Sequence, residues 1–423
     1  MLDIRHVRED ADAVKCRLAT RGNGYAPLVD DLLGVDEERR TAETEIQSLQ
    51  QQRNIRSKEI GMAKRNGEDT AEIEAAVREV GEAIGRISGR LEELNGRQRE
   101  LLLGIPNLPD NACPVGEDES ANPEIRLWGE KPNFSFEPKD HLTLGEQAGI
   151  LDFEAGARIT GSGFCVFRGA GARLERALIS FLLDLHAEEH GYVEVAPPFL
   201  IARDAMIGTG QLPKFESDMY GLENGELFLA PTAEVPVTNL ERDRILAGDV
   251  LPVRYVAATP CFRREAGASG KENRGLIRMH QFDKVELVKI VHPDESAAEL
   301  ETLLADAEKV LQLLGLHYRV IELCSGDLGF SAQRTYDIEV WAPGQKSYLE
   351  VSSCSNFGDY QARRMNLRFR DEAGKNRFAH TLNGSGTALP RLYVALLETC
   401  QQQDGSIRVP EILQPYFRGE EIS

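Results

Sequence analysis

Residues 259–286 read TPCFRREAGASGKENRGLIRMHQFDKVE, and the reading of this stretch decides the fold. Strand-type flanks enclose a polar, glycine-rich middle, the pattern of two strands joined by a long hairpin connection. Arg263 and Glu265, two apart, are expected on one face of the first strand. The planar fork of Arg263 can clamp a phosphate or a carboxylate, and Glu265 can accept from an adenine amino group or a ribose. A surface cross-strand ion pair, worth under about 1 kcal/mol, competes with that reading.

Three further segments surround this hairpin in the chain. Tyr348-Leu349-Glu350-Val351-Ser352-Ser353-Cys354-Ser355-Asn356 reads as a strand with Glu350 and Ser352 on one face and Ser353 near its end. Carboxylate and hydroxyl oxygens suit Mg²⁺, which takes few protein ligands and completes its shell with substrate phosphates. A serine-rich strand end is the competing reading. His380-Thr381-Leu382-Asn383-Gly384-Ser385-Gly386-Thr387 provides glycines that let backbone approach a ligand, and an apolar helix follows with Arg391 in reach of a phosphate. Upstream, Arg173 to Pro198 reads as a helix ending at Gly191, a β-type segment Tyr192–Val195, and Pro197-Pro198 at a sheet edge or interface. From about Asp140 onward short apolar strands interleave with helices, an α+β arrangement.

The first hundred residues follow another period. Leu28, Leu32, Val35, Ala42, Ile46, Leu49 and Ile60 fall on steps of three and four, with Arg39, Arg53 and Arg56 at remaining positions of the seam. Ile73, Val77, Val80, Ile84, Ile87, Leu91, Leu94 and Leu101 keep the same spacing, broken by Gln98. Apolar residues every 3.5 positions make a left-handed coiled-coil seam. The turn Lys64–Thr70 between the runs is short, so residues 28–102 read as an antiparallel helical hairpin. Each arm would reach roughly 50 Å at 1.5 Å per residue. Arg53, Arg56, Lys58, Lys64 and Arg65 gather toward the tip. They suit an arm touching a large substrate, while a spacer or dimerisation coil with a mixed solvated face fits equally. Gly104-Ile105-Pro106-Asn107-Leu108-Pro109 ends the helix, and 104–139, rich in Pro, Asn, Asp and Glu, reads as a linker. The domains expected are therefore 1–103, 104–139 as linker, and 140–423.

Composition bounds the rest. A hydrophobic fraction of 41% and a charged fraction of 28% over 423 residues are those of a globular protein of two or three domains. No segment approaches the roughly 20 apolar residues that cross a bilayer. Met1 to Asp12 lacks the apolar core of a signal peptide, so a cytoplasmic location is expected. The formal net charge of −20 argues against a general nucleic-acid binder but leaves room for one RNA held on a local basic patch. The seven cysteines are scattered, with no Cys-x-x-Cys, so neither disulfides nor structural zinc are expected. Cys354, beside serines, stays open as a nucleophile or an inert thiol.

Taken in order, the helix-strand-proline segment, the Phe262-Arg263-x-Glu265 hairpin and the glycine-to-Arg391 helix resemble motifs 1, 2 and 3 of class II aminoacyl-tRNA synthetases. The match narrows to the seryl-tRNA synthetase family through Pro231-Thr232-Ala233-Glu234, Glu265-Ala266-Gly267-Ala268, Gly275-Leu276-Ile277-Arg278 and Gly326-Asp327-Leu328-Gly329-Phe330. Tyr336–Trp341, Ser352–Phe357, Gln361-Ala362-Arg363-Arg364 and Thr381–Gly386 add to it, and the resemblance spans essentially the whole chain. It implies a class II antiparallel sheet flanked by helices, with the coiled-coil hairpin in front. It implies ATP and Mg²⁺, serine activation, transfer to tRNA(Ser), a homodimer, and a hairpin that meets the long arm of the tRNA. Whether tRNA(Sec) is also charged it leaves open.

Residue by residue, the resemblance places Thr232, Ala233 and Glu234 at the serine amino group, and Glu286 and Ser385 around its hydroxyl. It gives Arg263 to the carboxylate and α-phosphate, and Arg264, Glu265, Met279 and Phe282 to ATP, with Phe282 stacked on adenine. It gives Glu350, Val351, Ser352 and Ser353 to ATP and its metal, with Glu350 and Ser353 as Mg²⁺ ligands, and Arg391 to the γ-phosphate. Leu389-Pro390 and Met279 depart from the family's commoner residues. An amino acid:carrier-protein ligase shares such a catalytic domain but lacks the hairpin, and a catalytically dead RNA-binding paralogue is the rival from another class.

Overall fold

The computed structural model describes residues 1–22, 24–265 and 275–423. The motif residues Ala266, Gly267, Ala268 and Arg274 lie outside the described residues. The chain divides into two compact units, Leu2–Pro106 and Asn107–Ser423.

The amino-terminal unit contains α1 (Ile4–Glu9), α2 (Ala11–Ala19), α3 (Tyr25–Asn66) and α4 (Ala71–Gly104). Helices α3 and α4 are the expected arms. The first has 42 residues, longer than its apolar run suggested, and spans roughly 60 Å. Gly67 takes φ 73° and closes α3, a left-handed cap that glycine adopts without strain. Asp69 then accepts from the backbone of Ala71 to start α4. Most seam residues are half-buried, as two helices alone allow, while Leu32, Ala42, Val80 and Leu94 are buried. Asp36 is buried among them. Its carboxylate accepts from Arg8 Nε at 2.8 Å, Gln98 Nε2 at 3.0 Å and Arg39 Nη2 at 3.4 Å. A charge in the seam is tolerated because three donors meet it.

The larger unit is built on an eight-stranded sheet. In chain order its strands are β1 (Glu124–Trp128), β2 (Val193–Glu194), β3 (Val253–Phe262), β4 (Gln281–Val291), β5 (Tyr318–Glu322), β6 (Arg334–Ala342), β7 (Ser347–Asn356) and β8 (His380–Ala388). They lie in the order β1-β5-β6-β7-β8-β4-β3-β2, antiparallel throughout except for the parallel pair β2 and β3. Helices α5 (Ala170–Asp184), α6 (Glu234–Thr238), α7 (Ser296–Leu314), α8 (Tyr360–Met365) and α9 (Leu389–Cys400) flank it. Leu178 and Phe181 of α5, Leu303 and Leu311 of α7, and Leu392 and Leu396 of α9 join Val285, Leu287, Ile338 and Val351 of the strands in one core. Each fully buried Leu contributes roughly 1.5–3 kcal/mol, enough to hold one sheet face closed.

Residues 104–139 are more than a linker. Their composition hid β1, four of whose five residues pair with β5 across a bulge at Ile125 and bring Trp128 to stack on Tyr318 at 5.6 Å. Among the described residues no helix is long and apolar enough to cross a membrane.

Candidate active site

A cavity of about 770 Å³ opens on the larger unit. Strand alternation supplies one wall. On β4, Phe282, Lys284 and Glu286 line the cavity, while Val285 and Leu287 enter the core behind it. Arg263 and Glu265 also line it, but strand alternation is not the reason. Strand β3 ends at Phe262, and both residues sit in the chain just beyond it. The backbone of Arg263 donates to the His280 carbonyl at 2.9 Å, and its Nε donates to the Pro231 carbonyl at 3.2 Å. That anchorage leaves the two terminal guanidinium nitrogens for a ligand, with the Phe282 ring 5.4 Å away. Glu265 adopts φ 49°, uncommon outside glycine, and pairs with Arg278.

The part of the cavity that β7 supplies, two strands along the same sheet, depends on a bulge. Across β6 and β7, Glu339 pairs with Glu350 but Ile338 pairs with Ser352, so Val351 is the extra residue. One inserted residue reverses the face of everything beyond it. Glu350, Ser353 and Ser355 therefore line the cavity, whereas Ser352 turns away and donates to the Ser385 carbonyl at 2.6 Å. This corrects the expectation that Glu350 and Ser352 share a face. Asp337 stands opposite Ser353 on β6, with Oδ1 buried and unpartnered among the described residues. Burial first, and the Glu350 charge second, push its carboxyl well above the usual range. Glu350 and Ser353, with phosphate oxygens, form an all-oxygen donor set that fits Mg²⁺.

The end of the cavity nearest Glu286 is a network of buried charge. Glu286 is 1% exposed, with Lys284 Nζ at 2.5 Å from Oε2 and Asn383 Nδ2 donating to Oε1 at 2.9 Å. Glu234, at the start of α6, is also buried, and its backbone donates to the Thr232 hydroxyl at 3.2 Å. Burial first, and the neighbouring Glu286 second, push the Glu234 carboxyl up to about 7. A cationic group entering between two acids would relieve that repulsion.

Arg391 occupies the first turn of α9. Pro390 beside it fits there, because the first turn has no use for the missing amide hydrogen. The Arg391 guanidinium donates to the Ile277 carbonyl at 3.2 Å and to the Glu350 carbonyl and carboxylate at 2.9 and 3.2 Å. An arginine at a helix N-terminus makes an anion site of double origin.

Of the expected residues, Thr232, Glu234, Arg263, Glu265, Met279, Phe282, Glu286, Glu350, Ser353, Ser385 and Arg391 meet in this cavity. Ala233, Arg264, Val351 and Ser352 do not line it. Ala233 and Val351 are core residues, and the exposed Arg264 is fixed through its backbone to the Asp218 carbonyl. Lys284, Asn383 and Arg278 were missed. Alternation with Phe282 and Glu286 would have found Lys284, whereas Asn383 has no signal apart from its place opposite Ser355 and Val288. Cys354 is buried, and burial pushes its thiol up to about 12, which rules it out as a nucleophile at neutral pH.

The comparisons follow the same division. The family model for the seryl-tRNA synthetase N-terminal domain matches residues 1–109, and that for the class II tRNA synthetase core domain (G, H, P, S and T) matches residues 215–400. A serine--tRNA ligase of Akkermansia muciniphila is 64% identical over 417 residues, covering 99% of this chain and 98% of the relative. The crystal structure of seryl-tRNA synthetase from Pyrococcus horikoshii complexed with ATP superposes with a TM-score of 0.94 at 39% identity, covering 100% of this chain and 99% of the other. The cytoplasmic serine-tRNA ligase from Naegleria fowleri in complex with AMP gives 0.89 at 26% identity with the same coverage. Matches to both domains in the expected order, at such identity and over almost every residue, mean that the chain belongs to the seryl-tRNA synthetase family.

Proposed function

We propose that this chain activates L-serine with ATP, giving seryl-adenylate and pyrophosphate, and then transfers the seryl group to the 3′-end of tRNA(Ser). The observation that carries this is one cavity that brings Arg263 and Arg391 together beside two buried acids, Glu234 and Glu286. A serine carboxylate oxygen attacks the α-phosphorus, and the bond to the pyrophosphate oxygen breaks. Such chemistry needs alignment and charge neutralisation rather than a strong base. Arg263 spans carboxylate and α-phosphate with its free nitrogens. Glu265 and the backbone near Met279 take the adenosine, with Phe282 against adenine, and Arg391 takes the γ-phosphate. Glu350 and Ser353 would hold Mg²⁺, which when bound neutralises polyphosphate charge.

Thr232 and Glu234 receive the serine ammonium, while Glu286 and Ser385 receive the hydroxyl. Asn383 holds Oε1 of Glu286, while Oε2, ion-paired with Lys284 but with no hydrogen bond among the described residues, is left for the hydroxyl. Alanine, lacking the hydroxyl, would leave that buried acid unmatched and be rejected strongly. Threonine is excluded by size.

In this reading residues 1–103 form the tRNA-binding domain and 140–423 the catalytic domain, with the hairpin taking the long arm of tRNA(Ser) through phosphate and sugar contacts. The enzyme acts in the cytoplasm as a homodimer. The exposed apolar side chain of Val193 on edge strand β2 supports a second copy there. Serine-dependent pyrophosphate exchange tests activation, and charging of purified tRNA(Ser) and tRNA(Sec) tests transfer and its range. Deleting residues 28–102 is expected to abolish charging and spare exchange. Charging by the deleted form would sink the role of the arm.

A further inference from the structure

Gln361 lies on α8 with none of its surface exposed, and it does not line the cavity. Its amide nevertheless reaches into the site. Nε2 donates to Oε1 of Glu234 at 2.7 Å and to the Thr209 carbonyl at 3.1 Å. Its Oε1 accepts from the Thr381 hydroxyl of β8 at 2.7 Å. A flipped amide would set its carbonyl oxygen against a carboxylate and a backbone carbonyl at once, so the orientation is fixed. The three contacts come from α6, β8 and the chain after Gly208, so the amide ties three elements behind one acid.

The geometry assigns Gln361 as the positioning residue of the amino-acid site: it occupies Oε1 of Glu234 and so presents Oε2 to the substrate ammonium, with Thr381 holding Gln361 in turn. This rests on the reading of Glu234 as the partner of the serine amino group. The charged groups facing Glu234 are Glu286 and Lys284 of β4 and Arg263 beyond β3. Burial and Glu286 raise its carboxyl, while Gln361, Lys284 and Arg263 draw it down. Removing the amide therefore raises it further. Since only the carboxylate pairs with an ammonium, the acid limb of kcat/KM for serine must move to higher pH.

The test is serine-dependent pyrophosphate exchange by full-length Gln361→Met and Thr381→Val. Gln361→Met should raise the serine KM by about tenfold to a hundredfold, the effect of one lost hydrogen bond to a charged group. The ATP KM should hold within about twofold, and the acid limb should shift upward. Thr381→Val, which keeps the side-chain shape, should move both readouts the same way by less, and it decides the matter if Gln361→Met does not fold. An unchanged serine KM, or serine and ATP KM rising together with a fixed pH limb, would overturn the assignment. Glu234→Gln separates the two ideas. If it loses serine saturation while Gln361→Met and Thr381→Val are normal, only the role of Gln361 fails. If it saturates normally, the reading of Glu234 itself is wrong.

Discussion

Replacing Arg263 by lysine keeps the charge and changes only its geometry. The guanidinium Nε holds the Pro231 carbonyl at 3.2 Å, which frees two terminal nitrogens for the reacting groups. A lysine has no Nε and ends in one ammonium. The anchor, a neutral-acceptor bond, contributes about 0.5–1.5 kcal/mol, and one of the two charge-assisted fork bonds about 1.5–3 kcal/mol. Their loss together is roughly 2–4.5 kcal/mol, which at about 1.36 kcal/mol per tenfold is a drop of about 30- to 2000-fold in kcat/KM. The assay is serine-dependent pyrophosphate exchange, with a thermal melt to show that the fold is intact. Arg263→Ala should abolish exchange, because it removes the only group assigned to both carboxylate and α-phosphate. Exchange by Arg263→Lys within about fivefold of the parent would refute the bridging role and leave Arg263 a simple counter-charge.

Exchange should fall as pH drops through about 7, because the raised Glu234 carboxyl takes up a proton there and loses its attraction for the serine ammonium. A kcat/KM for serine flat from pH 8 to 5.5, roughly one unit or more either side of that value, would contradict it. Asp36→Ala removes the buried acceptor shared by Arg8, Arg39 and Gln98, while Arg39 keeps Glu43 and Arg8 stays partly exposed, and should destabilise the amino-terminal unit by roughly 1–3 kcal/mol while leaving exchange intact. Denaturant melts followed by helical circular dichroism measure it, and an unshifted transition would count against the clasp. Iodoacetamide should label exposed Cys16 first and spare activity, whereas labelling of Cys354 in the folded protein would show the core more open than described.

The helical hairpin was legible because a 3.5-residue period persists over dozens of positions and few other structures produce it. Its buried Asp36 was not, since an acid in an apolar seam looks like a solvated position until Arg8, twenty-eight residues away, is seen beside it. The pairing of Arg263 with Glu265 was right for a reason the residues did not contain. They share a cavity past the strand end rather than a strand face. The expectation that Ser352 shares a face with Glu350 failed on a single bulge at Val351, whose local sequence contains no glycine to announce it. Asn383 matters through what it does to Glu286, and a contact between side chains ninety-seven residues apart leaves no mark on local pattern, whereas Lys284, two residues from Glu286, was within reach of simple alternation.

The short strand β1 has a practical meaning. Its five residues cover the flank of β5, which would otherwise show a row of unpaired amides and carbonyls to solvent. Arg126, paired with Glu308 at 2.9 Å, ties that cover down. A protein trimmed to begin at Asp140 keeps every residue of the cavity but bares this flank. Open strand flanks recruit other strands, so such a trimmed enzyme should aggregate for reasons unrelated to its chemistry. The stretch that looked like spacer is what closes the catalytic sheet at that side.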